Sequence, residues 1–275
     1  MKQIVFAILA TGLSLTGMAQ NDSTTTEKAD TIKVGGMIII KTHDHHESDH
    51  NDVNVTINHH HYHKPENLTT NWGIFDLGFA NYNDNTNYSA PDVQAIVPGA
   101  TEKSALELRN GKSVNVNLWV FMQRLNMIQH VVNLKYGIGL ELNNYMYDRD
   151  LQFQEDPTKI VPAAMDLKKC KLAADYVTMP LMLNFNFTPD REWGFGFSAG
   201  VSAGYLYSSR FKTKDFNGNI NKVHDSFGLE KFKLSYVGEV NLSFVTLYAS
   251  YAFRDMWDNA LDQQPFNFGL RFSHW

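Results

Sequence analysis

The sequence predicts an all-β fold, an eight-stranded antiparallel transmembrane β-barrel with a mostly disordered periplasmic N-terminal tail. Three observations lead there. Bulky apolar residues recur at every second position after Trp72, the residues between them are small or polar, and the connections alternate between short and long. Only a β-strand separates alternate residues onto two faces.

The clearest strand is Val132 to Asn143, where even positions are large and apolar and odd positions are Asn, Lys, Gly and Glu. Seven more segments repeat the pattern. They are Phe75, Leu77, Phe79; Val114, Val116, Leu118, Val120, Met122; Val177 through Phe187; Phe195, Phe197, Val201, Tyr205, Tyr207; Leu234, Tyr236, Val240, Leu242; Leu247, Tyr251, Phe253; and Phe266 through Phe272. No helix is needed. An eight-stranded barrel is only just wide enough inside for side chains, so the bulky set must face outward, which means lipid.

Outer-membrane barrels have short periplasmic turns and long extracellular loops. Here 124–130, 188–192 and 243–245 are the short connections, and 83–112, 148–171, 213–231 and 254–264 the long ones. Tyr82, Tyr145, Tyr147, Tyr205 and Tyr207 are expected as an aromatic girdle at the outer rim, with Phe185, Phe187, Trp193 and Trp275 at the inner one. By the same phase Asp76, Lys135, Glu141, Glu239 and Arg271 project into the lumen with Asn115, Asn117, Asn133, Asn184, Asn186 and Asn241, while Trp119, Phe121 and Leu206 obstruct it. A polar plug is expected there in preference to a solute path. Pro180 removes a ladder donor in mid-strand and suggests a bulge.

The 275 residues divide into three segments. Residues 1–19 read as a secretory signal, with Lys2, an apolar stretch from Ile4 to Met18 and small residues at Gly17 and Ala19. Residues 20–70 form a polar, His-rich periplasmic tail in which Lys33 to Lys41 reads as an isolated strand. Residues 71–275 form the barrel. Lys plus Arg total 24 against 29 Asp plus Glu, without a long cationic tract, so no nucleic-acid partner is expected. A single cysteine, Cys170, rules out an intrachain disulfide framework.

The strand Tyr176-Val177-Thr178-Met179-Pro180-Leu181-Met182-Leu183 resembles the Tyr-x-x-hydrophobic-Pro-hydrophobic strand of PorT-like outer-membrane β-barrel proteins. The glycine-rich Gly194 to Leu206 is similar to the strand that follows it in that family, and Lys33 to Lys41 to a segment upstream of such barrels. The resemblance implies a barrel in a Gram-negative outer membrane. It transfers no catalytic residue, although the founding member is linked to protein secretion and surface export. Trp275 departs from the pattern, being out of phase with Phe266 to Phe272.

For chemistry, His224-Asp225-Ser226 has the residue types of a nucleophilic triad, but consecutive residues rarely converge as one, so no enzyme is expected. Eight of the eleven histidines lie in the tail: His43, His45, His46, His50, His59, His60, His61 and His63. An extended backbone puts His59, His61 and His63 on one face, and a helix groups His43, His46 and His50. Such imidazoles can chelate Zn, Ni or Cu, so a divalent transition metal is the candidate cofactor. The reading is a non-enzymatic outer-membrane barrel with a structural, interaction or secretion/export-accessory role, in contact with outer-membrane lipid and a protein partner. A periplasmic metal-handling accessory and a narrow solute channel stand beside it.

Overall fold

The computed structural model describes residues 30–34, 37–41, 66–154, 157–189, 194–242 and 245–272. The chain divides into two units, Met1–His63 and Lys64–Trp275. In the first, β1 (Asp30–Val34) pairs antiparallel with β2 (Met37–Lys41), Asp30 opposite Lys41. The isolated strand expected over Lys33 to Lys41 is therefore two strands. Gly35 and Gly36 lie between them in the sequence. The signal, the remainder of the expected disordered tail up to Pro65, Trp193 and Trp275 lie outside the described residues.

In the second unit eight strands close a ring: β3 (Leu68–Asp84), β4 (Val114–Ile128), β5 (Val132–Met146), β8 (Leu167–Asn186), β9 (Phe195–Asp215), β11 (Phe232–Leu242), β12 (Val245–Ala252) and β13 (Gln263–Phe272). Each pairs antiparallel with the next, and β13 returns to β3, so no edge is left in the ring. Closure satisfies the backbone polar groups that an open sheet would expose to hydrocarbon. The expected alternation holds on β5, where Asn133, Lys135, Glu141 and Asn143 are buried and Leu134 and Leu140 face out. Elsewhere Leu77, Leu118, Met179 and Leu270 are exposed on the outer wall.

Three expectations about the barrel wall need correction. On β4 a bulge at Val120 lies across from Gly73 on β3, whose φ of +66° is glycine's region. Past it the faces exchange, so Met122 is fully buried inside and Phe121 turns outward against Trp72, ring centroids 5.6 Å apart. Pro180 makes no bulge, since the register of β8 against β5 is the same on both sides of it. The irregularity falls higher, where Tyr207 is the extra residue opposite Asp175 and Tyr176. The strand β4 also runs on to Ile128, so its turn shrinks to residues 129–131, with Gln129 and His130 at φ 45° and 58°.

The long connections carry structure of their own. The first holds a six-residue helix, α1 (Pro91–Ile96), with Pro91 in its opening turn, a helix the sequence did not call for. The second holds the hairpin β6 (Leu151–Gln154) with β7 (Lys159–Pro162), and the third β10 (Ile220–Val223), which extends the sheet beside β9. Together they close over the long-loop mouth of the barrel around a large apolar core built from Tyr82, Leu106, Tyr147, Phe153, Phe211 and Trp257, among others.

Candidate functional site

The interior is organised by charge. Arg271 on β13 lies in register with Asp76 on β3 and grips it with two parallel bonds, Nε to Oδ1 at 2.7 Å and a terminal nitrogen to Oδ2 at 2.8 Å. Asp76 also accepts from Trp119 Nε1 at 2.7 Å and Asn117 Nδ2 at 3.1 Å. The other terminal nitrogen of Arg271 donates to Glu239, which takes Lys135 Nζ at 2.5 Å on its second oxygen. A second group centres on Glu141, which accepts from Lys233, Asn143, Asn267 and Thr178. Asn115 bridges onward to Asn143 and accepts from the Tyr248 hydroxyl.

The five charges expected in the lumen are thus all inside, and a sixth joins them. Lys233 was missed, although it sits in the inward phase of β11 between Phe232 and Leu234. It completes the network: Asp76, Glu141 and Glu239 carry three negative charges and Lys135, Lys233 and Arg271 three positive ones, while half-buried Arg124, opposite Lys135 and past the bulge, adds a cation toward the short-turn end. Buried charges persist only when paired and hydrogen-bonded, and every carboxylate here is both. Toward the short-turn end Ile74, Trp119, Met122 and Met182 pack together. Among the described residues the cavity between these groups measures ≈ 30 Å³, about one water. Trp119 obstructs the lumen as expected; Phe121 does not.

The cap is built the opposite way. Phe153 stands at its centre, with ring centroids of Phe211 at 4.4 Å, Tyr147 at 5.6 Å and Phe227 at 5.8 Å. Tyr82, Tyr145 and Tyr147, expected in the outer girdle, are instead buried here, and the Tyr82 hydroxyl donates to the Leu106 carbonyl. Tyr205 and Tyr207 do stand on the outer wall, 49% and 48% exposed. At the other rim Phe187 is exposed and Phe185 stacks on Phe197 at 4.7 Å. In the first loop, burial and the neighbouring Asp84 push the Tyr88 hydroxyl well above its ordinary pKa. In the fourth, burial and a hydrogen bond with Asp262 raise the Asp255 carboxyl. Cys170, above the lipid-facing part of β8, is buried with its thiol 3.5 Å from the Leu151 carbonyl, and burial pushes its pKa up to about 12. That keeps it a thiol, the unreactive form.

A separate cavity of ≈ 350 Å³ opens on the outside of β9 between Tyr205 and Ser209 and the segment 224–231. His224, Asp225 and Ser226 all line it, but as a turn. The Asp225 carbonyl accepts from the Ser209 hydroxyl and its carboxylate from the Phe227 amide at 3.5 Å. The tail histidines His43, His45, His46, His50, His59, His60, His61 and His63 lie outside the described residues. Among the described residues no three His, Cys, Asp or Glu side chains are grouped to hold a metal.

The family described as outer membrane protein beta-barrel domain matches residues 69–258. No curated protein matches the chain.

Proposed function

The chain belongs to the outer membrane β-barrel family, and from that premise we propose that it works as a closed, non-conducting barrel displaying a folded cap to a protein partner, with a structural or export-accessory role of the PorT-like kind. The observation that carries this reading is the paired six-charge network filling the interior, with room for about one water, under an apolar cap. Such a wall passes no solute, and what remains for binding is its outside. The strand Tyr176 to Leu183 and the glycine-rich β9 support the PorT-like placement.

Planar-bilayer recording of the purified full-length protein should give no steady conductance. A reproducible ion-selective pore would overturn the reading and make Lys135, Glu141, Glu239 and Arg271 the residues to mutate for selectivity. The cap's position outside the cell is tested separately, by Ser89→Cys and a membrane-impermeant maleimide on intact cells, with buried Cys170 contributing little background.

Export with removal of residues 1–19 belongs to the same proposal and is read by N-terminal sequencing, with Gln20 expected first. The tail is proposed to chelate a divalent transition metal in the periplasm through its eight histidines. Deleting residues 43–63 should abolish zinc and nickel binding in titration calorimetry and leave the barrel folded. Chelation that survived the deletion would refute it.

A further inference from the structure

A membrane strand needs roughly 9 to 11 residues, yet β8 has 20 and β9 has 21. Their lipid-facing apolar positions run only from Val177 to Phe187 and from Phe195 to Tyr207. The excess, 167–176 and 208–215, rises beyond the girdle tyrosines. Its inner side supplies Cys170, Leu172 and Phe211 to the cap core. Its outer side is cationic. Lys169 lies directly opposite Lys214, Lys171 opposite Lys212, and Lys222 of β10 opposite Lys212 again.

Like charges in register destabilise a sheet. Nearby, Arg210 is neutralised by Asp175 at 2.5 Å, and Lys171 donates to the Asn144 side chain at 2.8 Å. Among the described residues no carboxylate pairs with Lys169, Lys171, Lys212, Lys214 or Lys222. The Lys171 ammonium is held below its ordinary pKa by burial and then by Lys212, Arg210 and Lys169. Five ammonium groups gathered on one sheet face cost stability unless an anion lies across them.

We propose that this face binds the phosphate groups of a phosphorylated glycolipid in the adjoining leaflet, with Lys169, Lys171, Lys212, Lys214 and Lys222 supplying the charge. The proposal rests on the barrel spanning a membrane as read above. With strands tilted about 40°, Arg210 to Lys214 stand roughly 8 to 18 Å above Tyr207, the height of a headgroup whose phosphates are carried on sugars. The ≈ 350 Å³ cavity adjoins the strip, where β9 has lost its partner β11 after Tyr205 and has not yet met β10 at Phe211. Tyr205 and Tyr207 line its membrane side and Ser208, Ser209, His224 and Lys231 its polar side, which suits a sugar above an acyl chain.

The test uses the full-length protein in phosphatidylcholine nanodiscs with a bisphosphorylated glucosamine lipid, the same lipid without phosphates, or inorganic phosphate alone. Wild type should hold the phosphorylated lipid at least about tenfold tighter than the other two, and the preference should weaken with salt. K171Q/K212Q/K214Q should lose about tenfold, and the control K112Q/K159Q should lose nothing. Without lipid, K171Q/K212Q/K214Q should melt at or above the wild-type temperature, since it removes like-charge contacts. Equal binding of the dephosphorylated lipid, an equal response to inorganic phosphate, a K171Q/K212Q/K214Q variant that binds like wild type, or one that melts well below it would each overturn the proposal. A conducting barrel would leave all these results unchanged, so the two proposals fail separately.

Discussion

The barrel wall and the cap are two solutions to one requirement, that the side facing the solvent match it. In the wall the solvent is lipid, so Leu77, Leu118 and Leu270 face out and charges pair inside. In the cap the solvent is water, and Phe153, Phe227 and Trp257 turn inward. The changeover happens within single strands: β8 buries Asn184 and Thr178 in its lower half and Leu172 and Cys170 in its upper. The difference teaches that the wall's specificity comes from pairing, where loss of one partner strands another, whereas the cap's comes from packing, where loss of a ring leaves a cavity.

The sharpest way to break the comparison is Glu141→Gln. It leaves Lys233 buried with the Tyr176 ring, 5.6 Å away, and no carboxylate. A loss of roughly 3 to 5 kcal/mol is expected in urea unfolding from lipid vesicles. Glu141→Gln with Lys233→Met restores neutrality and should recover most of it; if the double variant were as unstable as the single, pairing would not be what holds the wall. Leu140→Arg comes next, placing a cation on the lipid face, with roughly 2 to 4 kcal/mol expected on the same measurement. Tolerance of that change would reverse the assignment of faces. The smallest effect on the barrel should come from Phe153→Ala. Opening a cavity in the cap costs that region about 3 kcal/mol, so amide exchange should quicken in β6 and β7 while the ring strands keep their protection. A barrel that unfolded with the cap would show one cooperative body instead of two regimes.

Alternation made the wall legible, because period two marks both which residues form strands and which way they point. From residues alone, Glu141→Gln ranks as milder than Leu140→Arg, since an amide keeps the shape. Lys233 reverses the order, and its phase on β11 was open to the same reading. Bulges were not legible: nothing in the run Val114 to Met122 says that Val120 steps out of the ladder, and one extra residue exchanged Phe121 and Met122 between faces. The cap was hidden for a different reason. Tyr88, Leu106, Phe153, Phe227 and Trp257 come from four separate connections and share no period, so only the closed ring brings them together. Tyr82, Tyr145 and Tyr147 looked like girdle residues because position near a strand end is the same for a ring that faces lipid and one that faces a cap.

The seam between β3 and β13 has a consequence for assembly. Gly78 and Gly269 face each other across it, so close that a β-carbon on Gly269 would overlap the Leu77 carbonyl and the Gly78 backbone. Two residues along, Asp76 and Arg271 meet from 195 positions apart in the chain, the longest reach among the ion pairs. Every other neighbouring pair in the ring joins ring strands that follow one another along the chain and can pair before the ring closes, whereas this contact waits for the circle to shut. Until then both side chains belong to open sheet edges and remain hydrated. Their bidentate grip therefore acts as a latch engaged last, and the bare glycine pair beside it is the clearance that lets the two ends slide home.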